Sequence, residues 1–219
     1  MGVFLFKTCK KLWGEKNPKE RADELFDYCM KHLNWHNEYS ELYRIFYYDC
    51  PPAQKEVYNP LTNRTINLKN TDTYKWATIF HECLKTKRKL ALRLGELSDR
   101  QTNYSLKYDT FKKICRKEIT VDNLTDEDLV LDITQKGVDM KIGLDISSLS
   151  YKKQVNQIIL ISGDSDFVPA AKHARREGID FILDPLWMRV KPDLYEHVDG
   201  MRTCCERPGA REDVYTDKE

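Results

Sequence analysis

Two aspartates separated by one residue stand directly behind the most strand-like run of the sequence. Gln157-Ile158-Ile159-Leu160-Ile161 is continuously apolar and β-branched after its first residue, the pattern of a strand buried on both faces. Ser162-Gly163-Asp164-Ser165-Asp166 follows it and reads as a turn. Ligands of an open parallel sheet collect at the carboxyl ends of its strands, which is where this turn falls. Gly163 frees the backbone for a sharp change of direction, and Ser165 can cap the helix that follows. Carboxylates at i and i+2 repel each other unless a cation lies between them, and a divalent metal serves that purpose. The alternative is that Asp164 and Asp166 are ordinary turn and capping residues.

A second acidic pair precedes this turn. Asp139 and Asp145 lie in Gly137-Val138-Asp139-Met140-Lys141-Ile142-Gly143-Leu144-Asp145. On a continuous helix the two do not align, but with Asp139 at the helix start both can face one crevice. Asp145 stands between Leu144 and Ile146, so partial burial is expected, and a buried carboxylate without a partner is costly. A metal would relieve that cost; so would a hydrogen bond to Ser162 or Lys141.

The elements that must position these residues follow from periodicity and turn chemistry. The spacing of Ala22, Leu25, Phe26, Cys29, Met30 and Leu33 predicts a helix over 18–33, with Pro18 in its first turn. Leu42 to Tyr48 is aromatic and β-prone, and Asp49-Cys50-Pro51-Pro52 stops it. Residues 53–70 are polar and read as an exposed loop. A helix is expected over 72–87 and a strand in Leu90 to Leu97. Residues 98–135 read as a polar insertion with short elements. Gly143 to Lys152 is helix-like. After the acidic turn, Phe167 to Glu177 is a helix stopped by Gly178, and Ile179 to Leu183 is a strand ended by Asp184-Pro185. Strand, turn, helix, glycine, strand within about 30 residues is a βαβ unit, so the fold class is α/β with a parallel sheet.

Lys136-Gly137-Val138-Asp139 with Gly143-Leu144-Asp145, then Ile161-Ser162-Gly163-Asp164-Ser165-Asp166-Phe167-Val168-Pro169, then Gly178-Ile179 and Leu183-Asp184-Pro185, resembles the NYN domain family of the PIN-like nuclease superfamily. The likeness is specific from Lys136 to Pro185 and weaker over residues 2–97, where Tyr43 to Asp49 is similar to the second strand of that fold. The resemblance implies a Rossmann-like parallel sheet flanked by helices, forming one domain over 1–201 with the insertion at 98–135 and a polar, frayed tail at 202–219. It also implies a metal-dependent endoribonuclease, with Mg²⁺ or Mn²⁺ held by Asp139, Asp145, Asp164 and Asp166, and RNA as substrate. Asp49 would be an outer ligand only. Hard carboxylate oxygens suit these ions, and a metal lowers the pKa of a water and neutralises charge as a phosphodiester is hydrolysed.

Family members open with an apolar strand ending in Asp-Gly-x-Asn or a variant, whose Asp is a ligand. Here Gly2 matches the motif's glycine, which puts Met1 where that Asp stands. Three accounts remain open: a misassigned or truncated start, a relative that has lost the strand and with it most of its activity, or a different register for residues 1–6. Loss of a central strand would expose neighbouring edges, favouring poor stability or pairing with a partner, a second copy of the chain included. The alternative function is therefore a catalytically weak or inactive RNA-binding or scaffold protein. A phosphatase-like hydrolase would want its Asp-x-Asp at the end of the first strand, and here that motif comes late.

The chain of 219 residues carries Lys+Arg 36 against Asp+Glu 35, so RNA contact must come from a local patch rather than a wholesale basic surface. Lys172, Arg175 and Arg176, on the helix that follows the acidic turn, are the first candidates for phosphate contact, with Lys141 and Ser165; Lys152, Lys153 and the run Lys85 to Lys89 are others. Each also fits a solvated face. Cys29, His32 and His36 mimic zinc spacing but have no evident fourth ligand, so core packing is expected. Seven cysteines with irregular spacing and no CxxC fit free thiols in a reducing cytoplasm, and the three glycosylation sequons then read as chance. No apolar run is long enough to span a membrane, and the first residues are too short and charged for a signal peptide.

Overall fold

Two groups of parallel strands carry the fold, each built from the most β-prone runs of the chain. The computed structural model describes residues 12–35, 38–98 and 102–207. Helix α1 (Pro18–Lys31) starts at a reciprocal cap: the Asn17 side chain accepts from the Glu20 N–H while the Glu20 carboxylate accepts from the Asn17 N–H. A short antiparallel ribbon, β1 (Asn34–Trp35) and β2 (Glu38–Tyr39), leads into β3 (Ile45–Asp49). Residues 53–70 are not the exposed loop their polarity suggests. They form a hairpin, β4 (Glu56–Asn59) and β5 (Arg64–Asn67), in which Val57 faces Ile66 and the Asn59 side chain accepts from the N–H groups of Leu61 and Thr62. The turn chemistry of an Asn side chain closing its own backbone outweighs a thin apolar pattern.

Helix α2 (Asp72–Lys85) returns the chain to β6 (Leu90–Leu94), which runs parallel to β3 with Ile45 opposite Leu90 and Asp49 opposite Leu94. Gly95 ends that strand at a close approach. A Cβ there would lie 2.6 Å from the Lys136 carbonyl oxygen and 2.7 Å from Val138 Cγ2. This contact lets β7 (Glu96–Leu97) pair with β10 (Gln135–Lys136). Between them lies the polar insertion, in which β8 (Asn103–Leu106) and β9 (Leu129–Asp132) pair antiparallel around α3 (Tyr108–Cys115).

Helix α4 (Val138–Tyr151) begins earlier than its sequence suggests, at Gly137, which holds φ +76°. Strand β11 (Gln157–Ile161), the acidic turn, α5 (Val168–Arg176) and β12 (Asp180–Asp184) form the expected βαβ unit, with β11 and β12 parallel. Gly178, at φ +75°, makes the turn into β12. After the single turn of α6 (Pro192–Tyr195), β13 (Gly200–Met201) adds a third parallel strand beside β12. The parallel sheet is therefore present as β3–β6 and β11–β12–β13, and among the described residues no strand joins the two groups.

Two apolar clusters form the core. Phe181, Leu183, Ala171, Ala174, Ile142 and Ile146 fill one together with Tyr48 of β3, and Ala22, Leu25, Tyr47, Phe80 and Leu84 fill the other. The first three residues after β13 are held in place where a frayed tail was expected. The Arg202 guanidinium donates to the His32 carbonyl and to Gln157 Oε1, the Thr203 hydroxyl donates to Asp184, and the Cys204 N–H donates to the Tyr28 hydroxyl oxygen. No helix among the described residues is long and apolar enough to cross a membrane.

Candidate metal and RNA site at the strand ends

The acidic turn stands where the buried strand predicts. The Ser162 N–H donates to the Asp184 carbonyl, so the chain leaves β11 still paired to β12. Ser162 Oγ then accepts from the Asp164 N–H at 3.1 Å, and Asp164 Oδ1 accepts from the Asp166 N–H at 3.1 Å. The capping residue is thus Asp164, not Ser165: its side chain closes the single 3₁₀ turn Ser165–Phe167 that precedes α5. Ser165 instead accepts from Lys191 Nζ at 3.0 Å, a cation brought from the segment after β12. Asp164 and Asp166 are both exposed, and among the described residues neither makes an ion pair.

The other two aspartates divide. Residues six apart on one continuous helix lie about 120° apart around its axis, and α4 is continuous from Val138. Asp139 is exposed in the first turn, where its charge favours the helix N-terminus. Asp145 is turned toward the sheet and is fully engaged. Its Oδ2 accepts from the Tyr48 hydroxyl at 2.9 Å, and the Arg93 guanidinium spans both oxygens, at 3.1 Å and 3.2 Å. The partner of the half-buried carboxylate is therefore neither Ser162 nor Lys141, as the sequence suggested. Ser162 serves the acidic turn, and Lys141 Nζ donates to the Leu94 carbonyl at 2.7 Å. Burial, and next the negative charge of Asp145, push the Tyr48 hydroxyl well above the ordinary tyrosine range, so it stays a donor. Arg93 also lies over the Phe46 ring at 5.4 Å.

Asp49, at the end of β3, is held by His81, whose Nε2 is 3.1 Å from its carboxylate. His81 is buried, so this pair belongs to the packing of α2 on β3. Arg175 and Arg176 end α5, two turns from the acidic turn. Arg175 is tied to Asp199 at 2.8 Å and to the Glu196 carbonyl, and with Lys172, Arg176 and His197 it lines a separate surface hollow of about 740 Å³. In the basic run, Lys85 pairs with Glu82, Lys87 with Asp23 and Lys89 with the Leu42 carbonyl, and Lys153 pairs with Glu177. These charges stabilise local structure. His32 is a core residue, as expected for the zinc-like spacing; His36 of that spacing lies outside the described residues, as do Met1 and Gly2.

Sequence reasoning missed three participants. Arg93 is the one polar residue in Leu90-Ala91-Leu92-Arg93-Leu94, and that break in an apolar strand was its signal. Lys191 gave none. Asp184, read only as a strand end, is fully buried: it accepts from the Tyr28 hydroxyl, the Leu186 N–H and the Thr203 hydroxyl, and lies 3.0 Å from His32 Nε2.

Among the described residues no three His, Cys, Asp or Glu side chains gather closely enough to hold a metal ion. What the turn offers is two exposed carboxylates. That donor set fits Mg²⁺ or Mn²⁺ in the mode where one or two carboxylates and the substrate's phosphates share the ion. No curated protein and no solved structure matches the chain. The family model of the NYN domain matches residues 38–185, more than half of the sequence, covering β3, β6, β11, β12 and the acidic turn; the chain belongs to the NYN domain family.

Proposed function

We propose that this protein acts on RNA as a metal-dependent endoribonuclease, with the turn Asp164-Ser165-Asp166 as its acidic centre. The observation that carries this reading is a pair of exposed carboxylates that have no ion-pair partner among the described residues, at the carboxyl end of a parallel strand. Asp164 and Asp166 would hold Mg²⁺ or Mn²⁺, with Asp139 close in the chain order of the family motif. When bound, such an ion supplies an activated water and neutralises charge on the pentacoordinate transition state. The residues of the chain prepare the place for it. Asp164 Oδ1 fixes the turn by accepting from the Asp166 N–H, and Ser162 Oγ fixes Asp164 by accepting from the Asp164 N–H. Lys191, held at Ser165, places a positive charge where a phosphate oxygen of the substrate would lie. Lys172 and Arg176 would contact more distant phosphates, beyond the reach of the acidic turn itself.

A second reading, an RNA-binding or scaffold protein with little or no hydrolysis, is favoured by one observation. Asp145 is paired with Arg93 and accepts from the Tyr48 hydroxyl, so a metal there would have to compete with both partners. Cleavage of labelled RNA in Mn²⁺ or Mg²⁺ separates the two. The nuclease reading expects turnover by the intact chain and its loss, by about 100-fold or more, in Asp164→Asn. Folded protein that binds RNA without cutting it establishes the second reading instead.

A further inference from the structure

A protein of nearly balanced charge can hold RNA only through a local cluster of cations, and several of its cations are engaged by its own fold. Lys85, Lys87, Lys89, Lys153 and Arg175 are tied to neighbouring carboxylates or carbonyls. The run 107–117 in the polar insertion differs. It carries five cations, Lys107, Lys112, Lys113, Arg116 and Lys117, against one carboxylate, Asp109, and all of them are exposed. Lys107, Lys113 and Lys117 make no ion pair among the described residues. The pairs of Lys112 with Asp109 and of Arg116 with Glu118 are long, at 3.6 Å and 3.8 Å, and solvated, so they hold these cations weakly.

Helix α3, within this run, is anchored on one side only. The Thr110 hydroxyl donates to Asp128 Oδ1 at 2.8 Å, and Ile114, one turn on, is half-buried on the same side. The Lys107 N–H donates to the Asp128 carbonyl. Asp126 accepts from the Asn59 side chain and β8 packs against β4, so the insertion is fixed to the β4–β5 hairpin. The outward side of α3 presents Tyr108, 70% exposed, and Phe111, 51% exposed, one turn apart. Lys112 Nζ lies over the Tyr108 ring at 4.3 Å, and Lys113 and Arg116 continue the cationic strip beside the two rings. Exposed rings interleaved with cations suit a nucleic-acid strand, whose bases stack on the rings while its phosphates meet the charges. An apolar protein partner would leave those cations buried and unpaired, which is costly.

The insertion is also rooted at the end of the sheet that carries the acidic turn. It leaves at β7 and returns at β10, which pair with each other, and α4 begins directly afterwards at Gly137. Helix α4 runs about 21 Å from that root toward the link before β11. Strand β11 returns by about 17 Å, with Leu160 packed in one cluster with Ile142 and Ile146 of α4. The turn behind β11 therefore comes back toward the start of α4, and Ser165–Phe167 packs against this helix. One RNA strand can thus lie on α3 and continue to the acidic turn.

We propose that α3 is an RNA-binding surface of this protein, with Tyr108 and Phe111 stacked on bases and Lys107, Lys113, Arg116 and Lys117 on phosphates. The inference rests on the reading that the protein acts on RNA, and not on whether it cuts.

Fluorescence anisotropy of a labelled single-stranded RNA, in chelator so that nothing is hydrolysed, tests it on the full chain. Lys113→Ala/Lys117→Ala should weaken binding and make the slope of log affinity against log salt shallower by about 1.4, since each phosphate contact on a single strand contributes about 0.7. Tyr108→Ala/Phe111→Ala should weaken binding by about tenfold with the slope unchanged. Lys19→Ala/Lys75→Ala removes the same charge from exposed positions on α1 and α2 and should leave affinity and slope as they are. Binding by the α3 variants equal to that of the unaltered chain overturns the proposal. So does an equally large loss in the Lys19/Lys75 variant, which would assign the effect to net charge. If the aromatic variant does not fold, the Lys113/Lys117 variant decides alone. No binding by the unaltered chain overturns the proposal together with the RNA reading. Binding through α3 without cleavage in Mn²⁺ keeps the inference and removes the nuclease reading; cleavage together with undiminished binding by the α3 variants does the reverse.

Discussion

Replacing Asp184 by alanine tests whether one buried carboxylate ties the C-terminal strands to α1. Asp184 has no exposed surface, and three of its partners are almost as buried: Tyr28 at 5%, His32 at 2% and Leu186 at 1% exposure. The Tyr28 hydroxyl and Leu186 N–H donate to it, and His32 Nε2 lies 3.0 Å away. Asp184→Ala removes the acceptor these groups share in a dry site, at about 1–3 kcal/mol for each bond lost. Removal of the buried carboxylate's own desolvation offsets part of this, so the loss should be about 3–5 kcal/mol, the range for breaking a buried ion pair from one side. For a domain of this size that is a fall in Tm of roughly 6–20 °C. Asp184→Asn keeps an oxygen for Leu186 and Thr203 and should lose about half as much. Urea denaturation followed by tryptophan fluorescence measures both, with an unchanged m-value as the sign that only stability has moved. A loss below 1 kcal/mol for Asp184→Ala would refute the reasoning, because it would mean that Tyr28, His32 and Leu186 are satisfied without the carboxylate.

Two other outcomes follow from the packing. Gly95→Ala places a methyl against the Lys136 carbonyl and Val138, and should cost about 1–3 kcal/mol in the same denaturation experiment; a midpoint equal to that of the unaltered protein would contradict the close approach. The buried hydroxyls of Tyr48 and Tyr28 are both held above the ordinary tyrosine value, by burial first and by Asp145 and Asp184 next. The unfolded chain releases these protons near pH 10 while the folded chain keeps them, so the stabilisation is fully present below about pH 10 and declines above it, by up to ~1.4 kcal/mol per pH unit for each group. Stability measured from pH 9 to 11 should show this fall, and Tyr48→Phe should reduce its slope by one group's share.

The local elements were legible because their signals are local. Gln157 to Ile161 reads as a strand from composition alone, although only Leu160 of it is buried, and the turn, helix, glycine and strand behind it follow in the order the βαβ pattern predicts. The acidic turn is legible for the same reason, since a strand's carboxyl end and the residues after it are set by the chain itself. The hairpin at 56–67 was not legible, because its apolar pattern reduces to Val57 facing Ile66 and its turn depends on one Asn side chain.

What lay beyond the sequence was every question of partnership across the chain. Asp145 and Asp164 look alike as letters. Only the fold brings Arg93 and Tyr48, 52 and 97 positions distant, onto Asp145 and leaves Asp164 exposed. Asp184 reads as the end of a strand, yet packing makes it the anchor of α1, β12 and residue 203. The same holds for the sheet: strand propensity identifies β3 and β11, but which edges are paired is decided by strand order, and strand order is set by contacts far apart in the chain. The sequence by itself determined the strands, the turn and the residue types at the site; tertiary packing decided which carboxylates are neutralised and which face solvent, because a carboxylate's state depends on the charges and donors that folding brings within a few ångströms of it.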